Sequence, residues 1–233
     1  PAQPGSLEYY SIKALDIDEA GDVWLGTIGD GLLRFHPETE TITSFRHDPA
    51  DASSLPADQV QSLLIDSRGL IWVGTEMGLT RFSPNAGEMK HYCYRPDVAN
   101  AMIAGEVRSI SEGLDGRLWV GTTEGLVRFD PAAESFEKHV IDPGEEAVPP
   151  ELSVSTVLED PDGNVWIGTE NGLARLDKKT GKILTTNRCR PSSSTRNPVH
   201  LTAGLAGIFR ACNKPKKQRA RPMYLAVKMN PEG

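Results

Sequence analysis

Residues 162–169, Asp-Gly-Asn-Val-Trp-Ile-Gly-Thr, decide the fold, because nearly the same line occurs four times in the chain. The other copies begin at Ala20, Arg68 and Asp115. All tryptophans of the 233-residue chain lie in these copies, at intervals of 48, 47 and 47 residues: Trp24, Trp72, Trp119 and Trp166. The chain is therefore a tandem repeat with one tryptophan in each unit.

Each copy has the composition of two β-hairpins. A glycine stands three residues before every tryptophan, and glycine readily adopts the positive φ of tight turns: Gly21, Gly69, Gly116 and Gly163. Val, Ile or Leu flanks each tryptophan on both sides, which is typical of a buried strand. A second glycine, followed by Leu and then by Arg, marks the next turn: Gly31, Gly78, Gly125 and Gly172.

Each repeat is predicted to contain four strands, a to d. In the first copy, strand a covers residues 12–18, strand b carries Trp24, and strands c and d cover residues 32–35 and 41–45. The links from strand d to the next strand a are long and polar: residues 47–58, 94–106 and 142–153. Four short strands in a period of about 47 residues, without helical periodicity, predict the blades of an all-β β-propeller.

Charge divides the chain into two parts. The net charge is −7, but residues 181–233 contain 11 Lys and Arg against Glu232 alone, so residues 1–180 carry 14 basic and 31 acidic groups. The predicted domains are propeller repeats over 1–186 and a basic tail over 187–233 that is disordered or non-native. The alternative interpretation of this tail is a nucleic-acid-binding arm built on Lys214, Lys216, Lys217, Arg219 and Arg221. No interleaved aromatics accompany these residues, so no nucleic acid is expected.

Catalytic and metal-binding patterns are not found in the sequence. The histidines and cysteines have no metal-ligand spacing, so we expect no catalytic residue, no bound metal and no cofactor: His36, His47, His91, His139, His200, Cys93, Cys189 and Cys212. Paired aspartates such as Asp160 and Asp162, or Asp16 and Asp18, are interpreted as turn formers rather than calcium ligands. The arginine repeated on strand c is interpreted as a structural pairing or stacking group: Arg34, Arg81, Arg128 and Arg175.

The full line D-x-x-G-x-(V/I/L)-W-(V/I/L)-G-T-x-x-G-L-x-R-F-x-P, present up to Pro84 and again up to Pro131, resembles the two-component regulator propeller repeat. The resemblance covers about residues 7–185. It implies a non-catalytic sensing module on the periplasmic side of a membrane-bound bacterial receptor. In that family seven blades form the ring, and a histidine kinase or diguanylate cyclase follows a membrane span. Four repeats therefore predict a fragment, whose partners are the remaining blades and an output domain.

A second function class remains open. Propellers of the streptogramin lyase type reuse similar Asp-Gly-x-(V/I)-W repeats around a His and acidic metal site. Every copy in this chain has Gly-Thr after the tryptophan segment, and the required His spacing is missing. These two features favour sensing over a lyase activity.

The predicted recognition surface consists of the links from strand d to strand a, because they differ between blades while the turns repeat almost letter for letter. The residues at the strand exits are His47 with Asp48, Tyr94 with Arg95, and Asp142. An aromatic ring, a cation and carboxylates suit a saccharide or another small polar ligand. The alternative, that these segments are only solvated loops, also remains open.

Ring closure is the last expectation. Seven repeats of about 47 residues need about 330 residues, so four should form an open arc or a small strained ring. Exposed blade faces then predict self-association, and a dimer is one form that it could take.

Overall fold

The computed structural model describes residues 10–93, 105–139, 153–170 and 172–177, together with the backbone of residues 182–185. These residues form sixteen β-strands: β1 Ile12–Ile17, β2 Val23–Thr27, β3 Leu32–His36, β4 Thr41–Phe45, β5 Val60–Ile65, β6 Ile71–Thr75, β7 Gly78–Ser83, β8 Glu88–Cys93, β9 Val107–Glu112, β10 Leu118–Thr122, β11 Gly125–Asp130, β12 Ser135–His139, β13 Val154–Glu159, β14 Val165–Thr169, β15 Gly172–Asp177 and β16 Lys182–Thr185. None of the described residues belongs to a helix with the length and hydropathy that crossing a membrane requires.

The strands form four antiparallel sheets of four consecutive strands each, β1 to β4, β5 to β8, β9 to β12 and β13 to β16, which we call blades 1 to 4. Each predicted hairpin glycine before a tryptophan has a positive φ, between 75° and 87°: Gly21, Gly69, Gly116 and Gly163. The prediction of an all-β propeller architecture with four four-stranded blades is confirmed. The predicted boundary at residues 186 and 187, and the basic tail, lie outside the described residues.

The hydrophobic core lies between consecutive blades. Trp24 and Leu32 of blade 1 pack with Val60, Ile71 and Phe82 of blade 2. The same arrangement joins blade 2 to blade 3 and blade 3 to blade 4. Blades 1 to 3 therefore present a tryptophan face to the following blade, and blades 2 to 4 present another apolar face to the preceding one.

The expectation that all four tryptophans are buried is correct for three of them. Trp24, Trp72 and Trp119 are almost completely buried, whereas Trp166 of blade 4 is only half-buried. The difference follows from the packing, because each of the first three indoles is covered by the next described blade.

Glycine in the Gly-Thr pair is required by close packing between blades. An ideal Cβ built on Gly26 would lie 2.5 Å from Cγ1 of Val60, the first residue of strand β5. The same valine contact recurs at Gly74 with Val107. A β-bulge beside the first residue of strand a shifts the register there, as between Val60 and Ser62. The valine of one blade thus occupies a socket left open by the glycine of the blade before it.

Candidate functional site

The aspartate that begins each Asp-x-x-Gly turn holds the indole of its own blade. Oδ2 of Asp66 accepts a hydrogen bond from Nε1 of Trp72 at 2.9 Å, and Oδ1 accepts from the backbone N–H groups of Arg68 and Leu70. Burial acts to raise the pKa of Asp66, but hydrogen bonds from Trp72, Arg68 and Leu70 outweigh it, so the pKa is lowered. Asp66 is therefore a charged turn former whose oxygens are used internally.

The same turn is found in blades 1 and 4. Asp18 accepts from Nε1 of Trp24 at 2.9 Å, and Asp160 accepts from Nε1 of Trp166 at 2.8 Å. Both also accept the backbone N–H four residues further on. These contacts confirm the interpretation of Asp18 and Asp160 as turn formers.

The repeated arginine of strand c lies over the tryptophan of its blade. The guanidinium carbon is 5.2 Å from the ring centroid of Trp24 for Arg34, and 3.9 Å from that of Trp119 for Arg128. Arg175 lies 5.9 Å from the Trp166 ring. The interpretation of this arginine as a stacking group is confirmed in blades 1, 3 and 4.

Blade 3 departs from the pattern, because Gly113 occupies the position of the turn aspartate. Nε1 of Trp119 instead donates to Oε2 of Glu159, which belongs to blade 4, at 2.8 Å. Nη1 of Arg128 lies 3.5 Å from the same oxygen, and Arg128 also pairs with Asp115. The side chains of Arg128 and Glu159 are only 7% and 1% exposed. The indole is therefore held by an ion pair across the interface between two blades.

Glu159 occupies the space that an aspartate at position 113 would need. An ideal Cβ on Gly113 would lie 2.7 Å from Oε2 of Glu159 and 2.9 Å from Nη2 of Arg128. This group was not predicted from the sequence. Alignment of the four copies could have found it, since only Gly113 interrupts the aspartate six residues before the tryptophan.

The link between blades 1 and 2 contains two of the predicted ligand-binding residues, His47 and Asp48. The backbone N–H of His47 donates to Oδ1 of Asp58 at 2.7 Å, and its Nδ1 lies 2.7 Å from the carbonyl oxygen of Leu55. The backbone N–H of Asp48 donates to Oγ of Ser54 at 2.8 Å. Because Leu55 is fully buried in the core between blades 1 and 2, these bonds anchor the link to the scaffold.

The remaining predicted site residues, Tyr94, Arg95 and Asp142, lie outside the described residues. The structure therefore places His47 and Asp48 side by side at one strand exit and leaves the complete five-residue site a prediction. Among the described residues, no group of three His, Cys, Asp or Glu side chains is arranged to hold a metal ion.

The link also covers His91 on strand β8. Nδ1 of His91 lies 3.0 Å from Oγ1 of Thr80, and its Nε2 is buried and has no hydrogen-bond partner within the described part of the chain. Burial of the ring lowers the pKa of His91 and outweighs the opposing contribution of the backbone of Ala52 and Ser54. His91 is therefore held neutral under the link, as part of its support on blade 2.

Comparison with known families supports the repeat assignment. The sequence model of the two component regulator propeller matches residues 54–77 and 149–171, so the chain contains repeats of this type and the resemblance is confirmed. Histidine kinase P4 of Formosa agariphila is 36% identical over 56 residues, which cover 24% of this chain and 4% of the kinase.

Solved structures share the fold. The extracellular domain of a protein described as a hybrid two component system of B. thetaiotaomicron superposes with a TM-score of 0.65 at 23% identity, over 79% of this chain and 25% of that one. A catalytically inactive variant of virginiamycin B lyase from Staphylococcus aureus gives a TM-score of 0.56 at 17% identity, over 77% of this chain and 56% of the lyase. The chain thus spans about a quarter of the first structure.

Proposed function

We propose that this chain is a sensing region of a two component signalling receptor outside the cytoplasmic membrane, and that it binds a small polar ligand without transforming it. The observation that carries the proposal is the division between turns and links. In the repeated units, the indole N–H donates to an acidic side chain, and the strand c arginine stacks on the indole ring, as Trp72 with Asp66 and Arg128 with Trp119 illustrate. The links differ in sequence from blade to blade. Recognition therefore falls to the links.

The link between blades 1 and 2 has the construction that a binding loop needs. Residues 46–53 are exposed, while Leu55 is fully buried and Asp58 clamps the start of the link. Nη1 of Arg46 lies 3.5 Å from Oδ1 of Asp30, and its Nη2 lies 3.5 Å from Oδ2 of Asp58. These two ion pairs hold the guanidinium at the base of the exposed segment. An exposed tip on a rigid base can contact a ligand without a large ordering cost.

Signalling would use the contacts between strand a of neighbouring blades. Backbone N–H of Ile65 donates to Oδ2 of Asp16 at 2.8 Å, and backbone N–H of Val157 donates to Oγ of Ser109 at 3.0 Å. A ligand that bridges two links would favour one angle between the blades joined by these bonds. The free energy available for signalling is then the difference between the ligand's binding free energies for two arrangements of the blades, one with the favoured angle and one without it.

Ligand-dependent stabilisation tests the proposal. The chain would be melted by differential scanning fluorimetry with neutral and uronic acid oligosaccharides, because binding to the folded state raises the Tm. At least one saccharide class is expected to raise the Tm, and the variant Tyr94→Ala/Arg95→Ala is expected to lose that rise. Arg117→Ala, on a turn away from the links, is the matched control. A Tm rise that survives in the double variant would contradict the site.

The lyase alternative has a separate test. Its support is the blade arrangement shared with virginiamycin B lyase, at a lower TM-score than the extracellular domain gives. Isothermal titration with Mg²⁺ distinguishes the two functions, since a lyase of that type requires a divalent metal site. Tight binding of one metal ion per chain would favour the lyase over the sensor.

A further inference from the structure

Residues 48–54 of the link between blades 1 and 2 form a short loop that closes on itself, and we call them the flap. Oγ of Ser54 accepts a hydrogen bond from the backbone N–H of Asp48 at 2.8 Å. The same hydroxyl lies 3.1 Å from the carbonyl oxygen of Asp48 and 2.7 Å from that of Asp51. Leu55, directly after the flap, is fully buried in the core between blades 1 and 2. The flap is therefore an exposed segment that is tied mainly to itself and is attached to a fixed base.

The flap covers the imidazole of His91 on strand β8. The backbone of Ala52 and Ser54 lies close enough to the ring to affect its pKa. Nδ1 of the ring is within hydrogen-bond distance of the Thr80 hydroxyl, whereas Nε2 is buried and receives no hydrogen bond from the described part of the chain. The flap thus shields this nitrogen from water without replacing the hydrogen bond that water would provide.

The charged and titratable side chains around the ring do not compensate for a positive charge on it. The link, strand β7 and strand β8 contribute Arg46, His47, Asp48, Asp51, Asp58, Arg81, Glu88, Lys90 and Cys93. Successive side chains of a strand point to opposite faces, so Lys90 and Arg81 lie on the face away from His91, where Lys90 pairs with Glu134. Strand β4 of blade 1, which packs against blade 2 through Phe45, contains no charged residue. Among the described contacts, no carboxylate bonds to the ring, so a proton on His91 would be a buried charge without a counterion.

We propose that the flap is an acid-sensitive cover, which opens when His91 gains a proton while Leu55 holds the base of the link in place. Opening lets water solvate the imidazolium, and it breaks only the few hydrogen bonds that close residues 48–54. The bond from the backbone N–H of His47 to Asp58 lies outside the flap and is kept.

The direction of the pH effect follows from the covered site. Burial lowers the pKa of His91 below 6.5 in the closed form, whereas the open form exposes the ring to water. The closed flap is therefore fully stabilised above about pH 6.5 and loses stability as the pH falls toward the lower pKa of the closed form. The carboxyl group of Asp51 titrates in a different range, because hydrogen bonds from Ser53 lower its pKa below 3.8.

The flap contains Asp48, one of the predicted ligand-binding residues, so its opening would change the recognition surface. Acid control of ligand binding rests on the proposed function, since it requires that the link binds a ligand. The opening itself does not, and the experiment below uses no ligand. A failure of either idea is therefore distinguishable from a failure of the other.

Amide hydrogen exchange of the whole chain measures the opening. Flap amides such as those of Asp51 and Ser54, which donate within the flap, are compared at pH 7.5 and pH 5 after correction for intrinsic exchange rates. Their protection should fall at least about threefold at pH 5, where a tenfold fall corresponds to one unit between the pKa values of the two forms. Amides of strand β6 should exchange much more slowly at both pH values, because blade 2 stays folded. Unchanged flap protection at pH 5, or equal exchange rates in the flap and in β6, would overturn the proposal.

Variants assign the effect to His91. His91→Gln does not gain a proton in this range, so its flap protection should be the same at both pH values. His36→Gln is the matched control, since His36 bonds to Asp22 in blade 1, and it should keep the fall. A fall that persists in His91→Gln, or that disappears in His36→Gln, would contradict the role of His91. An NMR titration of the His91 ring in the wild-type chain gives the second measurement in case His91→Gln folds poorly: a midpoint at or above pH 6.5 would overturn the proposal.

Discussion

The repeated tryptophan is held differently at two interfaces, the one between blades 1 and 2 and the one between blades 3 and 4. Trp24 donates to Asp18 of its own turn, and Ile65 of blade 2 lies at the facing position of strand a. Trp119 has Gly113 in its turn and donates to Glu159, which replaces the isoleucine on the facing strand. When a carboxylate of the same blade accepts from the indole N–H, the facing position of the next blade is apolar. When the acceptor comes from the next blade, the interface depends on an ion pair.

Restoring the aspartate of blade 3 should have the largest effect. Gly113→Asp is expected to lower the free energy of unfolding by about 4 kcal/mol, because it forces a second carboxylate against Glu159 in a buried site. Urea unfolding followed by tryptophan fluorescence measures the loss.

The double variant Gly113→Asp/Glu159→Ile should recover at least about 2 kcal/mol of that loss, because it reproduces the Asp18 and Ile65 pair of the first interface. Additive losses in the double variant would mean that the two positions do not share one space. That result would contradict the comparison between the interfaces.

Removing the ion pair itself should cost less. Glu159→Ala is expected to destabilise the fold by about 3 kcal/mol, because it leaves the indole N–H of Trp119 and part of the buried charge of Arg128 without their acceptor. Glu112→Ala is the control, since Glu112 occupies the equivalent position in blade 3 but bonds to the exposed Ser67, and it should cost about 1 kcal/mol or less. Equal losses in the two variants would contradict the special role of Glu159.

The strands and turns were predictable because each is encoded within a few residues. A glycine before Trp72 and an aspartate before that glycine specify the hairpin and its hydrogen bonds without reference to other blades. The acceptor of Trp119 was not predictable from such local patterns, since Glu159 is 40 residues away. Only the packing of blade 4 on blade 3 brings the two together.

The candidate recognition site was predictable in position but not in detail. His47 and Asp48 do lie at a strand exit, at the start of a long exposed link. The sequence did not indicate that backbone groups of both residues, and the ring of His47, would be used to close that link. Polar residues at strand exits can form hydrogen bonds within their own loop or with a ligand. Which of the two occurs depends on partners further along the chain, such as Asp58, which is eleven residues from His47.

Asp66, which accepts from the indole of its own blade, should make the free energy of unfolding depend on pH in the acid range. The pKa of Asp66 is lowered in the folded state, so its contribution to stability is complete above the unfolded-state pKa of 3.8 and is lost as the pH falls through the lower folded-state pKa. Asp66→Asn should cost about 1 to 2 kcal/mol at pH 7 and should show a smaller further loss on acidification than the wild-type chain. Urea unfolding at pH 7 and at steps below pH 4 measures both quantities. Parallel pH profiles for the two proteins would mean that Asp66 does not carry this charge.

The smallest effect is expected where strand β8 of blade 2 meets the turn before strand β12 of blade 3, because the polar contact there is half-exposed. Nζ of Lys90 lies 2.5 Å from Oε1 of Glu134, and the hydroxyl of Tyr92 donates to the same oxygen at 3.3 Å. Tyr92→Phe should therefore cost less than about 1 kcal/mol at pH 7, because the lost bond is long and the pair is screened by water.

Burial, with Glu134 assisting, raises the pKa of Tyr92 to about 12. Folding then favours the protonated phenol, so stability is complete below the unfolded-state pKa of 10.0 and falls as the pH rises toward 12. Removing the phenol should abolish that part of the alkaline loss, which unfolding curves at pH 8 and pH 11 would measure. An unchanged alkaline loss in Tyr92→Phe would mean that this contact does not link protonation to the joining of two blades.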